Sequence, residues 1–159
     1  MSSQPLSLRA ERVEDLEFLL ALYSCTRSTE LALTGWDEAA CAAFSGAQFA
    51  AQRQHYKAQF PDAQYHIVEH DGVRIGRLYV HRSAAEMLLI DISLLPEYRN
   101  QGLGRQLLQE LSLESRATGR PILLHVEMNN LLAHRWYLRL GFVEVRSEGM
   151  HVLMRRDPR

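Results

Sequence analysis

The hydrophobic pattern at the start of the chain predicts a strand, a helix and a loop. Leu6–Arg9 alternates apolar and polar residues, as a half-buried strand does. Glu14–Ser24 instead carries apolar side chains at helical spacing. Cys25–Gly35 contains turn formers and only weak periodicity, so we expect a loop or a partial turn there.

A second helix is predicted up to Phe60, where a proline follows. Thr34, with Asp37 three residues later, has the pattern of an N-cap that opens this helix. The Ser45-Gly46 pair is a candidate break within it, because serine and glycine are poor helix formers.

The middle of the chain changes from helical spacing to a period of two. Tyr65–Glu69 and Val73–Val80 flank Asp71-Gly72, which is the strongest short signal for a β-hairpin. Met87–Leu94 is apolar enough for a buried central strand. The sequence therefore predicts three consecutive strands in this region.

Helices and strands alternate over the rest of the chain. The predicted elements are a helix that starts near Leu103 and ends at Gly119, a strand Ile122–Glu127, a helix Asn130–Leu140 and two closing antiparallel strands, Phe142–Arg146 and His151–Arg155. Hairpins mixed with helical crossovers indicate an α/β protein with a mixed sheet and helices on both faces.

Length and composition are those of one globular domain covering residues 1–159. Apolar residues make up 47% of the chain and charged residues 23%. The longest apolar run, Phe18–Tyr23, is far shorter than a membrane span, and Met1–Pro5 lacks the features of a signal peptide. Cys25 and Cys41 have no metal-ligand spacing, and the histidines form no metal-binding motif. We expect a cytoplasmic protein without a metal.

The net charge is −1, which disfavours binding to nucleic acid through a general positive field. Lys57 is the only lysine among the 18 basic residues, and the others are arginines. This preference fits anion recognition by guanidinium groups, or simply the base composition of the genome.

The segment Arg99-Asn100-Gln101-Gly102-Leu103-Gly104 lies between the predicted buried strand and an amphipathic helix. Gly102 and Gly104 allow backbone amides to approach a ligand closely, and the helix N-terminus that follows favours a phosphate or pyrophosphate. Arg99 and Arg105 add positive charge. The alternative is a tight strand-to-helix turn without a ligand. The spacing is neither that of a P-loop nor that of a dinucleotide-binding fingerprint.

Two motifs resemble hallmarks of the GNAT superfamily of N-acetyltransferases. Arg99-x-x-Gly102-x-Gly104 after Leu94-Leu95-Pro96 resembles its acetyl-CoA signature, and Asn130-x-x-Ala133-x-x-x-Tyr137-x-x-x-Gly141-Phe142 resembles its second hallmark. The match is strongest over residues 88–143. The resemblance implies a mostly antiparallel sheet of about seven strands, splayed between the fourth and fifth, with about four helices.

The resemblance also implies acetyl-CoA as cofactor, with coenzyme A as product. Its pantetheine arm would bond to the backbone of Leu94 and Leu95, and its pyrophosphate would lie against the segment from Gln101 to Arg105. Asn130 matches the residue that binds the pantetheine arm, and its alternative is an N-cap. The cofactor residues implied are Leu94, Leu95, Arg99, Asn100, Gln101, Gly102, Leu103, Gly104, Arg105, Asn130, Ala133 and Tyr137.

Tyr137 aligns with the tyrosine that commonly acts as general acid in this family. A departing thiolate needs a proton, and a phenol can supply it; the alternative role for Tyr137 is core packing. An attacking amine must also lose a proton. Glu127 is the preferred base, with His125 and Asp91 as alternatives and a relay through water as a fourth.

The acceptor contacts implied by the resemblance are Arg27, Glu30 and Tyr79, with Trp36 and Tyr65 as further members of the pocket. The chain is thus expected to be an enzyme that acetylates a primary amine of a small molecule, an amino acid derivative or a protein. The alternative is a non-catalytic acyl-CoA sensor or interaction module. Homodimers are common in the family, so a homodimer is compatible with the sequence.

Overall fold

The computed structural model describes residues 6–159, and its strands and helices follow the predicted order. The strands are β1 Leu6–Ala10, β2 Gln64–His70, β3 Val73–Arg82, β4 Met87–Leu94, β5 Ile122–Glu127, β6 Val143–Glu148 and β7 His151–Arg156. The helices are α1 Leu16–Ala32, α2 Glu38–Gln59, α3 Leu103–Thr118 and α4 Leu131–Arg139.

The seven strands form one sheet in the order β1-β2-β3-β4-β5-β7-β6. The β4–β5 pair is parallel, whereas β1–β2, β5–β7 and β6–β7 are antiparallel. This is the mixed, mostly antiparallel sheet that the sequence predicts, so the fold class is confirmed. By its contacts the chain divides into two units, one comprising residues up to Leu78 with Ile92–Gly104, the other Tyr79–Asp91 with Arg105–Arg159.

In the first unit, α1 and α2 bury aromatic and aliphatic side chains together with β2. Leu19 and Tyr23 of α1, Phe49 of α2 and Ile67 of β2 form one buried cluster. The β2–β3 hairpin closes at Asp71 and Gly72, both at positive φ (54° and 75°). Two consecutive residues at positive φ form a turn whose twist matches that of the two hairpin strands, as predicted from the Asp-Gly pair.

Asp15 anchors a charged network in the same unit. It is only 2% exposed, and Arg9 donates two hydrogen bonds of 2.8 Å to its carboxylate oxygens. The backbone amide of Arg12 and the Nη1 of Arg74 also donate to it, at 2.7 and 3.1 Å. These bonds, with that from Arg9 first, hold the pKa of the Asp15 carboxyl well below its usual range.

In the second unit, one face of β5 is buried and the other is accessible. Ile122, Leu124 and Val126 are at most 5% exposed, whereas the intervening His125 is exposed. The buried stripe of α3, which includes Leu107 and Leu111 at helical spacing, accounts for the amphipathic pattern in the sequence. This arrangement separates the polar candidates on β5 from the core.

The prediction of a loop or a partial turn over Cys25–Gly35 is wrong up to Ala32, because α1 continues to that residue, and a turn follows only at residues 33–35. Two turn formers are accommodated inside the helix: the hydroxyl of Thr26 donates to the Tyr23 carbonyl oxygen at 2.6 Å, and that of Ser28 donates to the Cys25 carbonyl oxygen at 3.0 Å. Leu31 is 8% exposed and adds an apolar anchor near the end of the helix.

Two details predicted for the second helix are also wrong. Its N-cap is Asp37, whose Oδ1 accepts a hydrogen bond of 2.8 Å from the amide of Ala40. Thr34 instead donates its hydroxyl to the Leu31 carbonyl oxygen at the end of α1. Ser45-Gly46 does not interrupt α2, since Ser45 is buried and lies within the continuous helix.

No helix within residues 6–159 is both long and apolar enough to cross a membrane.

Candidate acetyl-CoA site

The segment after β4 turns sharply before α3 begins. A 3-10 turn, Pro96–Tyr98, is followed by Asn100 and Gly102 in the left-handed region, at φ 60° and 81°. The side chain of Gln101 donates to the Glu97 carbonyl oxygen at 2.6 Å. Glycine suits position 102 because other residues adopt this φ only with strain.

Main-chain amides of this segment are available to an anion. The amides of Gln101 and Gly102 donate no hydrogen bond to any residue between 6 and 159. The amides in the first turn of α3, which starts at Leu103, lack helical partners by geometry, and the helix dipole is positive there. Since unpaired amides and a positive dipole favour a phosphate, the residues present fit the pyrophosphate of acetyl-CoA.

The polar main-chain atoms at the end of β4 are largely engaged. The amide of Leu95 donates to the Ile75 carbonyl oxygen at 2.8 Å, and the Leu95 carbonyl oxygen accepts from Tyr98 at 3.0 Å. Arg99 donates its Nε to the Leu94 carbonyl oxygen at 2.9 Å. A carbonyl oxygen has a second lone pair, so Leu94 and Leu95 can still accept a hydrogen bond from a pantetheine amide.

Gly76 of β3 permits the close approach of this strand end, and sequence reasoning missed it. A β-carbon at this position would lie 2.2 Å from the Ser93 carbonyl oxygen and 2.7 Å from Cδ2 of Leu94. Only glycine fits such a contact with a neighbouring backbone. The available signal was a glycine inside a strand pattern, which often marks close backbone contact.

The negative charge of Asp91, on β4, acts on the phenol of Tyr137, on α4. Among the described residues the β4–β5 ladder ends at the pair Leu89 and Leu124, and Asp91 follows on β4. Tyr137 of α4 is half-buried and packs against Phe142, with ring centroids 5.6 Å apart. Burial, and then the negative charge of Asp91, raise the pKa of the Tyr137 phenol above its usual value.

The Tyr137 hydroxyl makes no hydrogen bond within the described part of the chain. Because its pKa is raised, the phenol is protonated at neutral pH and has a proton to donate. The ring packs against apolar neighbours and the hydroxyl retains an unused donor, so this geometry is compatible with both roles weighed from the sequence.

Asn130 is the N-cap of α4. Its Oδ1 accepts a hydrogen bond of 3.2 Å from the Ala133 amide. The amide nitrogen of the same side chain donates to no residue from 6 to 159. One asparagine can thus cap the helix through its oxygen and donate to a pantetheine carbonyl through its nitrogen.

The candidate bases on β5 have different surroundings. His125 is 43% exposed, and its Nε2 lies 2.9 Å from an oxygen of Glu148. This contact, together with Arg146, lowers the pKa of Glu148. Glu127 is half-buried at the end of β5, opposite His151 of β7, and its carbonyl oxygen accepts from the Asn130 amide at 2.9 Å.

The predicted acceptor residues have unequal access. Arg27 and Glu30 lie on the last turns of α1 and pair with each other at 3.2 Å, so each partly neutralises the other. Tyr79 is 1% exposed, which leaves little surface for an acceptor. Cys25 and Cys41 are half-buried free thiols. No group of metal-ligating side chains occurs among residues 6–159.

Comparison with known proteins identifies a family for just over half of the chain. A family model described as "Acetyltransferase (GNAT) domain" matches residues 61–144. These residues contain both sequence motifs and the elements β2 to α4. No curated protein sequence matches the chain significantly.

Solved structures match nearly the whole chain. The PaiA N-acetyltransferase from Thermoplasma acidophilum, in complex with coenzyme A, is 19% identical with a TM-score of 0.71, over 96% of this chain and 99% of its own. An acetyltransferase from Thermus thermophilus is 18% identical with a TM-score of 0.72, over 99% of both chains.

A third structure is the ribosomal-protein-S18-alanine N-acetyltransferase from Escherichia coli. It is 20% identical with a TM-score of 0.62, over 97% of this chain and 94% of its own. At these identities the three structures establish a common fold and leave substrate and residue roles to the chemistry of the site.

Proposed function

The chain belongs to the GNAT acetyltransferase family, and from that premise we propose that it acetylates a primary amine. The observation that carries the proposal is Tyr137, a half-buried phenol kept protonated beside Asp91 with a hydroxyl that no described residue uses. A binding module has no need of such a proton donor. Two of the similar structures are described as N-acetyltransferases, which supports a nitrogen acceptor.

The residues proposed to hold acetyl-CoA are main-chain groups and one amide side chain. The amides of Gln101 and Gly102 and those in the first turn of α3 suit the pyrophosphate, and Asn130 suits the pantetheine arm. Bound acetyl-CoA would supply the acetyl group as a thioester, and transfer to the amine nitrogen would release coenzyme A as the leaving thiol. Gly76 keeps the end of β4 in place.

Tyr137 acts in this proposal as general acid. Its hydroxyl donates to the departing sulfur, and its raised pKa ensures that the proton is present throughout the neutral range. A phenolate beside Asp91 would be unfavourable, so Tyr137 regains its proton from solvent after each turnover.

Glu127 remains the preferred base for the amine, with a relay through water as the alternative. His125 Nε2 is engaged by Glu148, and the charge of Asp91 acts on Tyr137, so both are less suited to this role. Arg27 and Glu30 pair with each other, and Tyr79 is buried; we therefore propose no single residue as acceptor ligand.

A Tyr137→Phe variant tests the proposal because it removes only the hydroxyl. We expect unchanged binding of acetyl-CoA by calorimetry and a loss of about 10²-fold in kcat for thiol release with an amine acceptor. Unchanged turnover would contradict the acid role. A wild-type protein that binds acetyl-CoA but releases no thiol with any amine tested would instead be a sensor or interaction module.

A further inference from the structure

A cavity of about 360 Å³ lies on the accessible face of the sheet in the second unit. The strand registers place six of its lining residues in two neighbouring rows, Leu88–Leu123–Arg155 and His125–Leu153–Arg146. Glu86, just before β4, and Glu148, at the end of β6, also line it. The cavity thus combines three leucines with charged side chains of both signs.

Glu86 brings a half-buried carboxylate to this cavity. The turn before β4 fixes its main chain, since the Glu86 amide donates to Oγ of Ser83 at 3.2 Å and its carbonyl oxygen accepts from the Ser83 amide at 3.0 Å. The carboxylate itself makes no hydrogen bond or ion pair with any residue from 6 to 159. A half-buried carboxylate in this situation favours a positively charged ligand.

Arg155 has unused donors at the same cavity, on β7, which is separated from β4 by β5. Its Nε donates to Asp157 at 2.6 Å, in a pair whose side chains are 46% and 64% exposed. Such a surface pair contributes little to stability. The two Nη groups of Arg155 donate to no residue within the described part of the chain. Arg155 can therefore bind an anion.

The other charged side chains of the cavity are already engaged with one another. His125 Nε2 lies 2.9 Å from one oxygen of Glu148, and Arg146 Nη2 lies 3.0 Å from the other. Glu86 and Arg155, in contrast, line one cavity without forming an ion pair with each other. A ligand that carries both an ammonium and a carboxylate can bridge them.

We propose that this cavity binds a free α-amino acid with an apolar side chain, as its zwitterion. The ammonium pairs with Glu86, and the carboxylate pairs with Arg155, whose guanidinium fork matches a carboxylate in geometry and charge. The apolar side chain packs on the leucines of the two rows, which removes apolar surface from water. The volume lies within the range of small-molecule sites.

The amino acid is a ligand of this cavity and not the acetyl acceptor. An ammonium held against Glu86 keeps its proton, and a protonated amine has no lone pair with which to attack a thioester. The inference therefore goes beyond the proposed function and does not depend on it, because amino acid binding is measured without acetyl-CoA.

The test is calorimetric titration with leucine and three analogues that each lack one recognised group. N-acetyl-leucine lacks the ammonium, leucinamide lacks the carboxylate and glycine lacks the side chain. Wild-type protein should bind leucine and should bind each analogue about tenfold more weakly or worse, since each loses one contact. Equal affinity for leucine and any of the three analogues would overturn the proposal.

Two variants assign the contacts to residues. Glu86→Gln should weaken leucine binding about tenfold and abolish the preference for leucine over N-acetyl-leucine. Arg155→Gln should weaken leucine binding similarly and abolish the preference for leucine over leucinamide. Arg155 is exposed, so its variant tests the site even if Glu86→Gln does not fold.

Glu110→Gln and Arg135→Gln are the matched controls. They make the same changes of charge at exposed positions on α3 and α4, outside this cavity, and should bind leucine as wild-type protein does. The inference is overturned if millimolar leucine does not bind wild-type protein. It is also overturned if the controls weaken leucine binding as much as Glu86→Gln and Arg155→Gln do, because the effect is then one of net charge.

Discussion

The Cα of Gly76 approaches the Ser93 carbonyl so closely that a β-carbon on Gly76 would lie 2.2 Å from that oxygen. The contact joins the middle of β3 to the end of β4, next to the residues proposed to accept hydrogen bonds from pantetheine. Since a backbone oxygen cannot move aside as a flexible side chain does, any side chain at position 76 displaces the end of β4.

Gly76→Ala should therefore lower the free energy of unfolding by about 2 kcal/mol or more, as overpacking does. It should also weaken acetyl-CoA binding, because Leu94 and Leu95 shift with Ser93. Chemical denaturation and calorimetry measure the two effects. Gly46→Ala is the matched control: it adds the same methyl group in α2, where nothing lies within 4 Å, and should be neutral or stabilising by about 0.5–1 kcal/mol. Equal effects of both variants would contradict the steric account.

The raised pKa of Tyr137 predicts a pH dependence of fixed sign. A general acid works while protonated, and a raised pKa extends the protonated form to higher pH. We therefore expect the fall in kcat caused by deprotonation of Tyr137 to occur above about pH 10, the usual pKa of a tyrosine. Ultraviolet titration should show one phenolate fewer in Tyr137→Phe, and the difference should appear only above pH 10.

Asp91→Asn separates the two causes of the raised pKa of Tyr137, which are burial and the negative charge of Asp91. Because burial is the larger cause, the pKa of Tyr137 should fall only partly in this variant and stay above its usual value. The same ultraviolet titration measures it. A return to an ordinary tyrosine titration would show that the Asp91 charge, rather than burial, is the main cause.

Asp15→Asn should lower the free energy of unfolding by about 2–3 kcal/mol. This is somewhat less than the loss of a fully buried ion pair, because Arg9 is partly exposed and keeps Glu69 at 3.0 Å. The surface variant Asp157→Asn, with the same charge change, should stay within about 0.5 kcal/mol of wild type.

The same carboxylate predicts the acid sensitivity of the fold. Since the folded pKa of Asp15 is depressed, its contribution is fully present above its unfolded pKa of about 3.9 and is lost as the pH falls toward the folded value. The stability difference between wild type and Asp15→Asn should therefore shrink below about pH 4. A difference that persists undiminished at pH 2 would contradict this linkage.

Local signals in the sequence predicted the elements whose determinants are themselves local. Asp71-Gly72 fixes the β2–β3 hairpin, and Asn130 lies at the start of α4 as its N-cap. The extension of α1 through Thr26 and Ser28 was missed, because their hydroxyls bond back to carbonyls within the helix instead of breaking it. Propensity alone does not distinguish these outcomes.

Features that depend on distant parts of the chain were not predictable. Gly76 is explained by its close approach to the Ser93 carbonyl oxygen, which lies on another strand. The effect of Asp91 on Tyr137 likewise needs β4 beside α4. The assignment of residues 1–159 to a single domain, the cytoplasmic location and a homodimer stay predictions.

The central claim is that the segment from Gln101 into α3 binds acetyl-CoA, and calorimetric titration of Gly104→Asp tests it most directly. An acidic residue in the first turn of a helix interacts favourably with the helix dipole, so the variant should fold, while its carboxylate repels the pyrophosphate. Gly46→Asp is the matched control, because it makes the same substitution within α2, where an added β-carbon meets nothing within 4 Å. We predict that wild type and Gly46→Asp bind acetyl-CoA and that Gly104→Asp does not. Equal binding by all three proteins would contradict the account.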